Sequence, residues 1–472
     1  MLLVVVVVCW VYLLFLLLPL LIQRLTTLAF AIHILFTQQI ALALPFTIQL
    51  NGNITAFDGL LVINSTLLTL ELFMVGLAIV VVSLIGVGQQ LVYNNTYGYL
   101  WLLANVIGIV YILASKDWLI TIAAGEVFNL SLYLLAGVIG LQYFLLSALA
   151  TTLLILGCVI IYAFSVTLHY ECIIIIIAFV NVTLHYGSAI NLLIVAMLLK
   201  LGVAPIHNWA PDLYSSLALP VTFWFALLPK LAIFGVLLQI PITLAPFKVD
   251  PFKVDAEIEG QLLLSTAILL GFVVGSIGLM GQWQIGRFLA YSAIVHLGYF
   301  LLALANGRTS YIFYAFIYGI TVLNLFCGLQ VMQSRLTVKQ PFNLFLILTP
   351  HFAQQFRLPF AVSLFSLASI PPFAGFYAKL TVLAEGIAFL HWIAIFAVLA
   401  STLSAANYLS LSLSNILDLS FGPSVFKRSD SAAAAVSFGK LRISSPTITL
   451  ILATTRSFSL FTLMPTELFS LP

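Results

Sequence analysis

Charge is what this sequence has least of. Of its 472 residues only 7% are Asp, Glu, Lys or Arg, while 63% are hydrophobic. The mean hydropathy is +1.20. A soluble domain carries about 25% charged residues, and a chain this poor in charge cannot cover a surface facing water. It is therefore read as a polytopic membrane protein. The net charge of +3 leaves no basic stripe, so no nucleic acid is expected among its partners. Its 4 cysteines, Cys9, Cys158, Cys172 and Cys327, contain no CxxC pair. That spacing implies no iron–sulfur site, no metal site and no disulfide framework. The opening MLLVVVVVCWVYLLFLLLPLLI has neither a basic start nor a small-residue cleavage site, and reads as a first membrane span.

What the chain does have is a succession of apolar runs. A helix needs about 20 such residues to cross a bilayer. Counting between polar breaks places spans near 2–22, 26–46, 67–90, 97–115, 118–139, 142–164 and 188–208. Further spans follow near 218–240, 261–281, 286–305, 311–332, 359–387, 390–413 and 447–466. The expected fold class is thus an all-α polytopic membrane protein with about 14 transmembrane helices. VTLHY occurs at 166–170 and 182–186, and PFKVD at 246–250 and 251–255. Neither has a third copy, so both read as small duplications in loops. The loops hold too few Lys and Arg to fix the orientation.

The stretch Ala196–Leu231, AMLLKLGVAPIHNWAPDLYSSLALPVTFWFALLPKL, organises the rest. It sets Lys200 and Lys230 inside apolar runs, where a charge costs about 2.5–3.5 kcal/mol and marks an ion pathway by default. Glu126 and Lys379 lie within other spans, and His296 is a neutral candidate. For any one of these the bland alternative is a fixed structural pair, which would give stability little and transport nothing. Four in separate spans favour transport. Glu126 is a partner for Lys200 or Lys230. A carboxylate beside a buried lysine favours the charged form and its withdrawal the neutral one, which is a proton switch.

Two spans carry breaks. Pro205 cannot donate to the carbonyl of Leu201, and Gly202 loosens the backbone between them. Pro371 and Pro372 remove two donors, and Gly375 follows. Broken membrane helices build ion sites, and their polar backbone must face protein or water. By the helix dipole alone, Lys200 sits at the favourable end of its first half-helix and Lys379 at the unfavourable start of its second. In RFLAYSAIVHLGYF, Tyr291 and Ser292 lie about one turn from His296, so the three are expected to line one wet path. His207 and Trp209 are expected at the membrane interface. Matched breaks suggest an internal repeat.

These motifs, LLKLGVAPIHNWAPDLY with LLPKLAIF, RFLAYSAIVHLGYF, SLASIPPFAGFYAKL and ITIAAGEVFNLSLYLLAG, taken in order, resemble the antiporter-like membrane subunits of respiratory complex I. The resemblance covers about 95–410. It implies two inverted five-helix repeats, 95–245 (helices 4–8) and 246–413 (helices 9–13), with helices 7 and 12 broken. Helices 1–3 would occupy 1–94, and a polar loop with helix 14 would occupy 414–472. It implies a proton path through Glu126, Lys200, Lys230 and Lys379, driven by electron transfer from NADH to ubiquinone in other subunits. NADH, FMN, the iron–sulfur clusters and ubiquinone would all sit in partner subunits, and none in this chain. Expected neighbours are the antiporter-like chain 4, the small chain 4L and lipids. A lysine at 379 matches one branch of the family, where the related chain 4 has a glutamate. Gln142 stands where the family has a lysine. The expected location is the mitochondrial inner membrane, with a bacterial plasma membrane as the alternative. A cation/proton antiporter without electron transfer shares the broken-helix patterns and is the competing reading.

Overall fold

The structure, a computed structural model, describes residues 54–56, 59–63, 65–88, 97–173, 184–239, 256–336, 354–371, 373–389 and 391–416. The spans expected at 2–22, 26–46 and 447–466, the PFKVD repeat and Pro372 lie outside the described residues.

Among the described residues, thirteen named α-helices follow a short hairpin. They are α1 Ser65–Gly88, α2 Tyr97–Ala114, α3 Trp118–Ala136, α4 Leu141–Ser165, α5 Leu184–Leu201, α6 Trp209–Ser216 and α7 Leu219–Gln239. The remainder are α8 Ala256–Leu279, α9 Ile285–Asn306, α10 Arg308–Leu336, α11 Gln354–Leu367, α12 Ala374–Phe389 and α13 His391–Ile416. Seven contain stretches long and apolar enough to cross a membrane, by length and composition. The span expected at 188–208 is α5 followed by irregular backbone at 202–208, with α6 beginning only at Trp209, and the span expected at 359–387 is α11 and α12 with a break between them.

The hairpin corrects the purely helical expectation. Ile54–Ala56 (β1) pairs antiparallel with Leu61–Ile63 (β2), in a segment that reads as a polar connection. Gly59, with φ +87°, turns the chain between them. The hairpin joins the start of α3 through Lys116, whose N–H donates to the Leu60 carbonyl at 3.0 Å.

Helix ends follow local chemistry. Asp117 caps α3, its carboxylate accepting from the Leu119 N–H at 2.8 Å. Gly137, with φ +59°, ends α3 and leads through a 3₁₀ turn, Gly137–Gly140, into α4. Pro229 lies inside α7 and takes from it the N–H that the Phe225 carbonyl would otherwise accept.

The described residues form two compact units. The first holds the hairpin, α1–α5, α7 from Trp224 and the first turns of α8. Within it α2 and α3 touch closely: a Cβ on Gly108 would lie 2.8 Å from that of Phe128. The second holds Gly202–Phe223 and the chain from Leu264. There Asp212, on α6, is tied to Arg287, on α9, at 3.4 Å. Burial separates helices of similar hydropathy. The apolar window of α7 is 100% buried, whereas that of α4 is 39% buried and shows Phe144, Leu149 and Val159 outward.

Candidate functional site

The first unit contains Glu126, Lys200 and Lys230, and brings Lys200 to the helix that carries Glu126. Lys200 stands in the last turn of α5, where carbonyls without helical partners favour a cation. Its Nζ lies 3.9 Å from where Gly125 would carry a Cβ, so the ammonium rests on α3 one residue from Glu126. Glu126 acts electrostatically on Lys200. No ion pair within 4 Å joins them; among the described residues the ion pairs are Lys116–Glu171 and Arg287–Asp212. The Glu126 Oε1 is buried without a hydrogen-bond partner. Further along the chain, Tyr133 and Tyr143 are in edge contact at 5.5 Å. Lys230 is buried in mid-helix, directly after Pro229.

Two asparagines in this unit escape a reading based on charge. Asn105 is fully buried and satisfied: it donates to the Phe128 carbonyl at 3.1 Å and to Ser131 Oγ at 2.9 Å. It also accepts from Trp224 Nε1 at 2.7 Å, clamping α2, α3 and α7 together. Asn129 is as buried, but its Nδ2 has no hydrogen-bond partner.

The second unit contains both helix breaks' irregular backbone. After α5, Gly202 turns with φ +71°, and a Cβ there would meet the Trp209 ring at 2.8 Å. The break opens at Gly202, ahead of the exposed Pro205, because the left-handed glycine already ends the helix. His207 Nδ1 donates to the Pro205 carbonyl at 3.1 Å.

The second break is tighter. Ser369, with φ +61°, turns the chain after α11, and Gly375 passes so close that its Cβ would fall 2.0 Å from the Ser366 carbonyl oxygen. The Gly375 N–H donates to Ser366 Oγ at 3.1 Å. Lys379 is buried, and its Nζ donates to the Leu367 carbonyl at 2.9 Å while lying 5.0 Å above the Tyr299 ring centroid. This corrects the dipole expectation. The backbone of Lys379 is near the start of α12, but its ammonium reaches back to the C-terminal end of α11, a favourable place for a cation.

His296 is buried and shares a hydrogen bond of 2.7 Å with the Tyr314 hydroxyl, with the Tyr318 ring 4.8 Å away. Tyr299, whose hydroxyl donates to the Ala397 carbonyl at 2.6 Å, lies between His296 and Lys379. Ser292 bonds the Tyr408 hydroxyl. Tyr291 is not with them. It sits about 100° further round α9, half-buried, against the His207 ring at 6.3 Å. The expected path through Tyr291, Ser292 and His296 is thus divided between two faces of one helix.

Helices of membrane-spanning length, two interrupted spans, and a lysine beside each break, half-buried Lys200 and buried Lys379, define a multi-pass membrane protein of the ion-translocating type. The family model described as NADH:quinone oxidoreductase/Mrp antiporter, transmembrane, matches residues 115–404, and the chain belongs to that family. It is 31% identical over 333 residues to NADH-ubiquinone oxidoreductase chain 2 of Rhizopus oryzae, covering 66% of this chain and 62% of that one. It is 30% identical over 383 residues to NADH-quinone oxidoreductase subunit N of Hydrogenovibrio crunogenus, covering 76% of each. A chain of respiratory complex I from Thermus thermophilus shares the fold, with TM-score 0.70, 24% identity, and coverage of 93% of this chain and 92% of that one.

Proposed function

We propose that this chain is a proton-translocating membrane subunit of an NADH:quinone oxidoreductase, coupling electron transfer in partner subunits to proton movement through Glu126, Lys200, Lys230, His296 and Lys379. One observation carries the reading. The Lys200 ammonium rests on α3 against Gly125, one residue from Glu126, next to a helix break, and no ion pair within 4 Å locks the two together. Small movements of the break then change how tightly Lys200 holds its proton, since the interaction of buried charges varies steeply with separation. The chain's own residues receive, hold and release protons. Electron transfer and quinone binding belong to its partners.

The finer picture belongs to the same proposal. It has 14 spans in two inverted repeats, 95–245 and 246–413, flanked by 1–94 and 414–472. Chains 4 and 4L are its neighbours, NADH, FMN, iron–sulfur clusters and ubiquinone are held by partners, and the membrane is mitochondrial. The names of the curated relatives, a chain and a subunit of NADH-ubiquinone and NADH-quinone oxidoreductases, support partner subunits that carry out the electron transfer.

The test is Lys230→Met in the assembled complex reconstituted into vesicles. Protons moved per NADH oxidised should fall well below the wild-type value while the complex still assembles. Wild-type pumping by that variant would overturn the reading. Isolation of the chain without flavin and iron–sulfur proteins would favour a cation/proton antiporter.

A further inference from the structure

On α3, Thr121, Gly125 and Asn129 recur every four residues and so form one stripe. The stripe borders a cavity of about 30 Å³ whose other walls include Leu154, Met197 and Lys200. That is room for about two water molecules, given that one needs about 10–15 Å³. Three of its lining side chains are polar. Lys200 carries ammonium hydrogens, Thr121 a hydroxyl, and Asn129 an amide nitrogen with no protein partner. A buried amide left unpaired costs about 1–3 kcal/mol, and water in a polar cavity removes that cost.

From Thr121 a chain of hydroxyls runs to the end of the helix. Thr121 Oγ1 bonds the Tyr170 hydroxyl, lies 2.9 Å from Ser115 Oγ and donates to the Asp117 carbonyl at 2.7 Å. Ser115 Oγ also lies 2.7 Å from the Ile112 carbonyl. Three hydroxyl hydrogens thus serve four contacts, so more than one arrangement of protons satisfies the cluster almost equally. Such degeneracy is what a proton relay needs. Tyr170 is held there by its N–H donating to the Lys116 carbonyl at 3.0 Å and by edge contact with Trp118 at 5.3 Å. The next residue, Glu171, is 66% exposed and pairs with Lys116 at 3.2 Å, marking the surface.

We propose that Tyr170, Ser115, Thr121 and Asn129 form a proton access path, completed by water in the cavity, between the Lys116–Glu171 surface and Lys200. The proposal rests on the proton-translocating reading and adds to it a route at one membrane face. In each step a hydroxyl oxygen accepts a proton on a lone pair and releases its own to the next oxygen. The net change is one proton gained by a neutral Lys200 amine, or lost by its ammonium, with nothing oxidised or reduced.

The experiment compares Thr121→Val, Thr121→Ser, Tyr170→Phe and Asn129→Leu in the assembled complex, reading protons pumped per NADH in vesicles. Thr121→Val keeps the shape and loses the hydroxyl, so pumping should fall severalfold, and Thr121→Ser should restore it. Tyr170→Phe and Asn129→Leu should lower it too, the latter by filling the cavity. Wild-type pumping by Thr121→Val beside an impaired Lys230→Met would overturn the path and leave the general reading standing. Wild-type pumping by Lys230→Met as well would remove both. Equal loss in Thr121→Val and Thr121→Ser would show that the hydroxyl is not the cause, and would also overturn the path. If Thr121→Val does not assemble, Asn129→Leu decides: wild-type pumping there refutes the route through the cavity.

Discussion

Lys379 Nζ donates to the carbonyl of Leu367, twelve residues earlier, at 2.9 Å. In an uninterrupted helix that carbonyl would accept from residue 371, which is Pro371 and has no N–H. The proline therefore leaves an acceptor at the end of α11, and the lysine takes it. Lys379→Met should leave the buried carbonyl without a donor, costing about 1–3 kcal/mol, and should impair pumping. Pro371→Ala offers a competing N–H and should impair pumping with Lys379 still present. Pumping in vesicles and thermal denaturation of the complex test both, and wild-type behaviour of Pro371→Ala would separate the carbonyl from the lysine's role.

Gly375→Ala should be far more damaging than its size suggests. The added Cβ would stand 2.0 Å from a backbone oxygen, that of Ser366, which cannot swing aside as a side chain can. Overpacking of this kind costs about 1–3 kcal/mol or more. Gly76→Ala, in α1, meets nothing within 4 Å and should gain about 0.5–1 kcal/mol from the helix preference for alanine. The abundance of assembled complex on native gels should rank the variants in that order, and equal abundance would contradict the close approach.

The clamp at Asn105 lends itself to a double-mutant cycle. Asn105→Leu strips the Trp224 Nε1 of its acceptor at 2.7 Å, orphaning a buried donor at about 1–3 kcal/mol. Trp224→Phe removes that donor. The double variant should be less destabilised than the sum of the single ones, measured as the melting temperature of the complex. Strict additivity would mean that the hydrogen bond contributes nothing.

Glu126→Gln keeps the side chain's shape and removes its charge. Assembly should be unchanged, since Glu126 is half-buried and its Oε1 bonds nothing. Proton pumping should fall, because Lys200 loses the carboxylate carried one residue from where its ammonium rests. An unchanged pumping ratio in vesicles would sever the pair.

Much of the fold was legible because apolar runs and polar breaks alternate plainly. The expected span at 97–115 is α2, Tyr97–Ala114, and that at 218–240 is α7, Leu219–Gln239. Both helix breaks were legible too, since Pro205 and Pro371 announce missing donors. Where a break begins was less so: a glycine's sign of φ, which ends α5 at Gly202, leaves no mark in hydropathy. The lysines and Glu126 stood out by their charge. Asn105, Thr121 and Asn129 did not, because single neutral polar residues scarcely alter an apolar run. Their meaning lies in distant partners, as Trp224 is 119 residues from Asn105. Tyr291 and His296 are near in sequence but about 140° apart around α9, an angle that spacing along the chain does not display.

The contrast between α4 and α7 bears on how this sequence can change. Both are apolar along their length, yet one window is 39% enclosed and the other wholly so. Acyl chains are fluid and fit any shape, so wherever an outward residue such as Leu149 or Val159 faces lipid it is free to exchange among apolar types of different volume. Protein neighbours are not fluid, and a fully enclosed position such as Trp224 or Phe234 has a fixed volume to fill. Substitutions should accumulate along α4 as drift in size, and along α7 only as paired exchanges with the residues it touches. Two helices that length and composition alike mark as membrane spans are thus under opposite evolutionary constraints.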